Sequence, residues 1–213
     1  MSGSEQASVY VFGDNHRDQR EEVEQRLYSV IPESAEALVM EHSKKTGGEE
    51  PSQWALLKNP SMLFLQLLVA GWQKRKRASS NRVTEGSQTS VAEEVAEELE
   101  LEIKYTDLSW LQRFNRQPLY LTAASWIAFL SLFLGWILLP FLTLLSIALV
   151  PAVGLWSHRV HMEMRDEEMA GDLRKYGKQY SGMVFFAGDS HIDSVGELLD
   201  CEFKIVEKEE SRP

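Results

Sequence analysis

Two apolar runs that each stop at a glycine constrain the fold of this chain more than any other feature. Val9–Phe12 directly precedes Gly13, and Met183–Ala187 directly precedes Gly188. Continuous apolar runs, without alternating polar residues, are typical of strands buried on both faces of a parallel sheet that helices cover. The two runs therefore predict core strands from opposite halves of the sequence.

A histidine follows each glycine after three residues: His16 in the first segment and His191 in the second. In an open α/β sheet the carboxyl ends of the strands form the edge where ligands bind. Ala37–Met40 predicts another buried strand, and this one ends at Glu41. We therefore expect both imidazoles and the carboxylate to lie close together at that edge.

The remaining pattern predicts the fold class. Leu101–Tyr105 is a further strand candidate, and Glu202–Val206 is a candidate edge strand. Capping pairs precede apolar stripes with helical spacing, and Ser90 and Ser194 are predicted to cap two of these helices. Because strands alternate with helices, we expect an α/β fold with a parallel-type central sheet flanked by helices.

Composition excludes several classes of function. The net charge of −10 argues against a nucleic acid partner. The local exception, Lys74–Arg77, suits either an anionic membrane surface or a solvated helix end. Cys201 is the single cysteine, which excludes an intramolecular disulfide framework and a cysteine-based zinc site.

Residues 118–156 contain no charged side chain. Two apolar arms, Leu119–Leu134 and Phe141–Trp156, are each short for a full crossing of a bilayer. We interpret them as a transmembrane helical hairpin, with a buried soluble hairpin as the alternative. The predicted α/β domain is then divided into residues 1–117 and 157–213, with the hairpin inserted between them.

The charges beside this insertion predict its orientation. Arg113 and Arg116 precede it and Arg159 follows it, so the positive-inside rule places both ends in the cytoplasm. Met62–Ala70 is also apolar, but it is too short to span a bilayer and predicts a buried or interfacial helix. We expect a membrane protein with its soluble domain on the cytoplasmic side.

Taken together, the two Gly-x-x-His segments, Glu41 and the run Arg165–Ala170 (Arg-Asp-Glu-Glu-Met-Ala) resemble the TraB/PrgY (pheromone shutdown) family. That family is related to the Tiki proteins and more distantly to the ChaN and erythromycin-esterase-like group. The likeness extends from about Val9 to Leu199. It implies an α/β core with the histidines and the glutamate in one cleft. It also implies metal-dependent peptide cleavage as in Tiki proteins, or membrane association with inhibition of a peptide signal as in PrgY-like proteins.

The chain departs from the family pattern at several positions. The hydrophobic part interrupts the domain, whereas in archaeal members it usually follows the domain. Gly86-Ser87-Gln88 stands in place of Gly-x-Glu, Asp107-Leu108 in place of Asp-Arg, and Met164 in place of a glutamate. A non-catalytic role therefore stays open.

Two imidazoles and a carboxylate from three strand ends form a ligand set that suits a divalent metal such as manganese, cobalt or zinc. Such a metal acidifies water toward a nucleophile near neutral pH. His16, His191 and Glu41 are thus the predicted metal ligands, and Glu41 is also a catalytic candidate. The alternative is that each histidine only forms a hydrogen bond within its turn.

Other polar residues are predicted near the same edge. Asp14, Asp107 and Asp189 follow strand candidates and are expected either to orient the imidazoles or to act as ligands themselves. Arg165 is a catalytic candidate that would stabilise an oxyanion or hold a substrate carboxylate, or else form an ion pair with Asp107 or Glu41. His158 and His161 have the spacing of a helical metal pair, but we interpret them as interfacial polar residues.

The sequence therefore predicts a membrane-anchored TraB-family protein that hydrolyses a substrate, expected to be a peptide, with metal-activated water. One alternative is a non-catalytic membrane adaptor or a protein that sequesters a peptide signal. Another is a ChaN-like protein that binds haem or iron. The metal, the substrate and a homo-oligomeric state are left open.

Overall fold

A computed structural model describes residues 8–14, 20–42, 52–77, 87–138, 140–199 and 204–207. The chain alternates strands and helices, as the sequence predicts. In chain order the elements are β1 (Ser8–Asp14), α1 (Arg20–Val30), β2 (Ala37–Glu41), a short 3-10 helix (Gln53–Lys58), α2 (Pro60–Arg77), α3 (Ser87–Glu98), β3 (Glu102–Thr106), α4 (Trp110–Arg116), α5 (Leu119–Leu138), α6 (Pro140–Tyr176), β4 (Gly182–Gly188), α7 (Asp189–Leu199) and β5 (Lys204–Glu207).

The chain divides into two compact units. The first comprises Met1–Lys44, Val83–Asp107 and Asp166–Pro213, and the second comprises Lys45–Arg82 and Leu108–Arg165. The second unit is larger than the insertion predicted at residues 118–156, because it also takes in α2, α4 and the segment of α6 before Asp166.

The first unit is built on a parallel sheet. Over the described residues the strand order is β3-β2-β4-β1-β5, and every pair is parallel. β1 and β4, the two strands predicted from the apolar runs, are neighbours, and Asp14 pairs with Gly188 at their carboxyl ends. β2 lies on the other side of β4. The prediction of an α/β fold with a parallel sheet and flanking helices is confirmed.

Helices cover both faces of this sheet, which explains the continuous apolar runs. Val39 and Phe185 pack on one face, in a cluster with residues of α7 and of α6 beyond Asp166. Leu38 and Val184, one residue away along each strand, pack on the other face with α1 and α3. Successive side chains of a strand point to opposite faces, so a strand that is buried on both faces needs apolar residues at every position.

Three predicted helix boundaries are wrong. α3 begins at Ser87 rather than after Ser90, and α7 begins at Asp189 rather than after Ser194. The second apolar arm is predicted to end at Trp156, whereas α6 continues without a break to Tyr176. A Ser-x-x-Glu spacing also occurs inside helices, and β4 passes into α7 without an intervening loop, so the local capping pattern did not mark the true start.

In the second unit, α5 and the first half of α6 pack antiparallel. The rings of Tyr120 and Trp156 stack with their centroids 5.7 Å apart, and the hydroxyl of Ser146 donates to that of Ser131 at 2.9 Å. The two apolar arms predicted from the sequence therefore form a helical pair, although the first extends to Leu138 rather than Leu134. Judged on the residues that the structure describes, no helix has both the length and the apolar character needed to cross a membrane.

A close backbone approach at the start of β4 gives a test of the sheet. A Cβ atom at Gly182 would lie 2.7 Å from the carbonyl oxygen of Ser34, so Gly182→Ala should force the backbone apart and lower the free energy of unfolding by roughly 1–3 kcal/mol. Gly171, in α6, has open space around its Cβ position, and Gly171→Ala should stabilise the helix by up to about 1 kcal/mol. Urea unfolding followed by circular dichroism measures both, and equal effects would contradict the packing at Gly182.

Candidate active site

The carboxyl ends of β2 and β4 hold the first group of the site. Glu41 is the last residue of β2, and its Oε2 accepts a hydrogen bond from the backbone N–H of Gly188 at 2.7 Å. The other carboxylate oxygen, Oε1, is directed toward His191. The side chain is 18% exposed, so Glu41 lies at the boundary between the core and the solvent.

The second group is the imidazole of His191, which lies in the first turn of α7 and is 2% exposed. Its Nε2 atom lies 3.5 Å from Oε1 of Glu41. The structure thus brings together two of the three metal ligands predicted from the sequence. It does so because β2 and β4 are neighbours and α7 begins immediately where β4 ends.

The third group, Asp166, was not predicted as a site residue. Its Oδ1 lies 2.5 Å from Nδ1 of His191, and it is 7% exposed. An ionised carboxylate can only accept a hydrogen bond, so this contact places an N–H donor at Nδ1 of the imidazole, while Nε2 is directed toward Glu41. The sequence signal was present, since Asp166 belongs to the Arg-Asp run used for the family resemblance, but no role had been assigned to it.

The donor atoms partly fit a metal ion. Two donors that each lie about 2.0–2.1 Å from a tetrahedral Zn²⁺ are about 3.4 Å apart, close to the 3.5 Å between Nε2 of His191 and Oε1 of Glu41. Asp166 contacts the opposite nitrogen of the ring, so it cannot share that ion and instead orients the imidazole. Over the described residues no three such side chains converge as a metal site, so a third ligand would have to come from elsewhere.

Two of the remaining predicted site residues, His16 and Asp14, lie at or just beyond the end of β1 in the sequence. His16, the other predicted imidazole, lies outside the described residues, as does the side chain of Asp14. Asp14 itself ends β1 beside Gly188. The prediction that both imidazoles meet therefore stays a prediction.

Asp107 follows β3 and is buried, one position beyond Thr106, the register partner of Glu41. Asp189 begins α7, and its carboxylate lies so near Gly13 that a Cβ atom there would sit 2.3 Å from Oδ1, so a larger residue at position 13 would displace the Asp189 side chain. Arg165 belongs to the second unit, where its Nη1 lies 3.7 Å from the sulfur of Met162. Its predicted action on an oxyanion or a substrate carboxylate stays a prediction.

A second buried histidine, His161, lies in the second unit within a network of uncharged polar groups. The side chain of Gln117 donates from Nε2 to the carbonyl of Lys58 at 2.9 Å and to the hydroxyl of Thr122 at 2.7 Å. Its Oε1 must therefore be the atom that accepts from Asn59 at 3.0 Å and from Nε2 of His161 at 3.3 Å. His161 consequently carries its proton on Nε2.

The other nitrogen of His161, Nδ1, is buried and has no hydrogen-bond partner within the described part of the chain. Burial, followed by the charges of Arg113 and His158, lowers the pKa of His161 to about 4. The ring of Phe114 meets the imidazole edge-on at 5.3 Å. His161 is therefore a neutral core residue, in contrast to its interpretation as an interfacial residue.

This lowered pKa predicts a loss of stability in acid. The unfolded chain binds a proton at His161 below about pH 6.5 and the folded chain only below about 4, so stability is complete above pH 6.5 and falls as the pH drops to 4. We expect His161→Gln to remove roughly 2 kcal/mol of the pH dependence of the free energy of unfolding between pH 7 and 4.5. Urea unfolding at both pH values measures it, with His158→Gln, an exposed neighbour, as the control. An unchanged pH dependence in His161→Gln would contradict the burial of a neutral ring.

The geometry of the first unit is thus an imidazole held between two carboxylates at the carboxyl edge of a parallel sheet. Comparison of the chain with protein-family models, with curated proteins and with solved structures finds no match. The resemblance to the TraB/PrgY family therefore rests on the motifs quoted above.

Proposed function

We propose that this chain is a membrane-attached, metal-dependent hydrolase of the TraB type that cleaves a peptide bond. The observation that carries the proposal is the alignment of Asp166, His191 and Glu41, in which a buried imidazole has one nitrogen bound by a carboxylate and the other directed toward a second carboxylate. A carboxylate behind a ligating imidazole is the usual arrangement at metal sites, where it sets the tautomer and raises the basicity of the ligand.

His191 and Glu41 would hold a divalent cation such as manganese, cobalt or zinc, with His16 as the third ligand proposed from the sequence. When bound, such a cation supplies acidified water and polarises the carbonyl of a substrate. Two donor atoms from rigid strand and helix ends favour this chemistry, because the polypeptide need not reorganise around the ion.

The side chains themselves have separate roles in this proposal. Asp166 is proposed to hold the proton on Nδ1 of His191, so that the lone pair of Nε2 can bind the metal ion. The N–H of Gly188 fixes one oxygen of Glu41, and the other oxygen is placed to ligate or to accept a proton from water. Arg165 is proposed to stabilise the developing oxyanion or to hold a substrate carboxylate.

Attachment to a membrane is supported by the second unit. Apolar side chains of α5 and α6 are widely exposed, among them Leu119 at 82%, Ile127 at 66% and Ile147 at 58%. Exposed apolar surface on this scale is unusual for a soluble monomer and is typical of a membrane or partner interaction site. The proposal places these helices in or on the bilayer and the first unit in the cytoplasm, as the flanking arginines favour.

Metal analysis of the purified chain tests the hydrolase proposal. We expect about one divalent ion per chain, lost in His191→Ala and in His16→Ala and retained in His158→Ala, whose exposed histidine lies in the second unit. Asp166→Asn should keep the fold but weaken metal affinity by about 10- to 100-fold, because the imidazole loses its carboxylate partner. Asp193→Asn, an exposed position on α7, is the matched control.

The same preparation separates the proposal from its alternatives. A chain that holds no metal yet binds peptide tightly would favour an adaptor or a peptide-sequestering protein. A Soret band after addition of haem, abolished by His191→Ala, would favour a ChaN-like role. Either result would overturn the hydrolase proposal.

Membrane attachment is tested by flotation of the full chain with lipid vesicles in a density gradient. We expect the chain to float, because the exposed apolar side chains of α5 and α6 lose contact with water on entering lipid. Ile127→Lys and Ile147→Lys together should reduce the floating fraction, whereas Arg159→Lys, which keeps the charge at an exposed position, should not. A chain that stays at the bottom of the gradient would contradict the attachment.

A further inference from the structure

The two units of the chain carry charge of opposite sign. The second unit contains 11 basic residues and 3 acidic residues, which gives it a net charge of +8. The first unit contains 11 basic and 29 acidic residues, for a net charge of −18. A strongly basic unit is therefore present in a chain whose net charge is −10, and it is the unit that also exposes the apolar side chains of α5 and α6.

Basic residues of the second unit lie just before the apolar helices. Lys58 ends the short 3-10 helix, and its Nζ donates to the carbonyl oxygen of Asn115 at 2.7 Å and to Oδ1 of the same residue at 2.9 Å. The next residue, Arg116, ends α4 and is exposed. A lysine and an arginine thus lie on two packed elements directly before the start of α5.

Exposed aromatic side chains accompany these cations. Tyr120, in the first turn of α5, stacks on Trp156 of α6, and both rings are about half exposed. Arg159 follows one helical turn after Trp156, with 82% of its side chain exposed. On the 3-10 helix, which packs against α4 and α5, Trp54 is 77% exposed. Tryptophan and tyrosine beside lysine and arginine, at the ends of apolar helices, are typical of the headgroup region of a bilayer.

Acidic residues do little to offset this positive charge. Among the residues of the second unit that the structure describes, Glu163 is the only acidic one. Its Oε1 lies 3.2 Å from Nε of Arg159, and both side chains are well exposed. An exposed pair of this kind contributes little, so it does not prevent Arg159 from attracting an anion. The described part of the unit therefore complements a negatively charged partner.

The combination of charge and apolar surface narrows the class of that partner. Exposed side chains such as Ile127 and Ile147 gain free energy on leaving water for an apolar phase, whereas the cations gain it from anions. A bilayer that contains anionic phospholipid offers phosphates at its surface and acyl chains directly below them. A free phosphate or a nucleic acid offers only the charge.

We propose that the second unit binds bilayers through the headgroups of anionic phospholipids. The headgroup surface consists of three cations and three aromatic residues: Lys58, Arg116, Arg159, Trp54, Tyr120 and Trp156. This inference rests on the membrane attachment proposed above and adds the class of lipid. An anionic bilayer repels the first unit, so the attraction comes from the second unit against the net charge of the chain.

The lipid preference is tested by adding the full chain to vesicles of phosphatidylcholine alone, or of phosphatidylcholine mixed with phosphatidylglycerol, and measuring the bound fraction by sedimentation. We expect binding to be about tenfold tighter to the mixed vesicles, and the preference to disappear in high salt, which screens the cations from the phosphates. Equal binding to both vesicles in low salt would overturn the lipid preference and leave membrane attachment standing. Binding to neither would contradict the attachment and, with it, this inference.

Paired substitutions test the location of the surface. Arg116→Gln together with Arg159→Gln should weaken binding to the mixed vesicles about fivefold for each charge removed, and should leave binding to phosphatidylcholine unchanged. Lys175→Gln together with Lys178→Gln removes the same charge from exposed positions of the first unit and should have no effect. Circular dichroism establishes that both double variants keep their helix content. Equal losses in the two would show that net charge, rather than this surface, sets the preference.

The aromatic part of the surface is tested separately. Trp54→Ala should weaken binding to both kinds of vesicle, because the indole loses its place among the headgroups whatever their charge. Leu198→Ala, at an exposed apolar position of the first unit, should bind like the unaltered chain. Unchanged binding by Trp54→Ala would show that the 3-10 helix does not contact the bilayer.

The acidic first unit of a second copy is the other partner that this charge could attract. Sedimentation velocity of the chain in a non-ionic detergent, without phospholipid, separates the two. We expect the same oligomeric state in low and high salt. A dimer that forms only in low salt, and is lost when Arg116 and Arg159 are both changed to Gln, would assign the surface to a second copy and overturn the proposal.

Discussion

The first unit depends on the parallel pairing of β4 with β1 on one side and β2 on the other. This pairing buries β4 on both faces and places the ends of the three strands at one edge. It also brings the carboxylate of Glu41 against the backbone N–H of Gly188, and the chain passes directly into α7 from there. His191 then enters the edge in the first helical turn. A shift of β2 by one residue would turn the side chain of Glu41 to the other face of the sheet and remove it from His191.

The two buried histidines show how neighbours decide the behaviour of one residue type. His191 has a carboxylate near each ring nitrogen, so its environment suits a ligand or a proton carrier. His161 is as deeply buried, but its hydrogen-bond partner is the amide of Gln117, and burial, followed by the charges of Arg113 and His158, lowers its pKa to about 4. The first environment suits a metal ligand or a proton-transfer group, and the second suits a core group that is uncharged at neutral pH.

Much of the first unit could be predicted from sequence, because the signals for its strands lie within short segments of the chain. The strands are continuous apolar runs, the glycines mark their ends, and parallel strands share one carboxyl edge, so Glu41 and His191 were expected to meet there. Asp166 was missed because its contact with His191 joins residues 25 positions apart on two different helices. The starts of α3 and α7 were missed because a capping spacing also occurs within helices. The position of His16 relative to the site stays a prediction.

The sequence by itself determined the fold class, the pair of residues at the sheet edge and the two apolar helical arms, since hydrophobic pattern and residue spacing act within each element. Only the tertiary structure decided which group faces each nitrogen of His191, that Gln117 holds His161, and that Tyr120 stacks on Trp156. These contacts depend on how each helix is rotated about its own axis against its neighbours. That rotation is set by the packing of many side chains together, and no local stretch of the sequence encodes it.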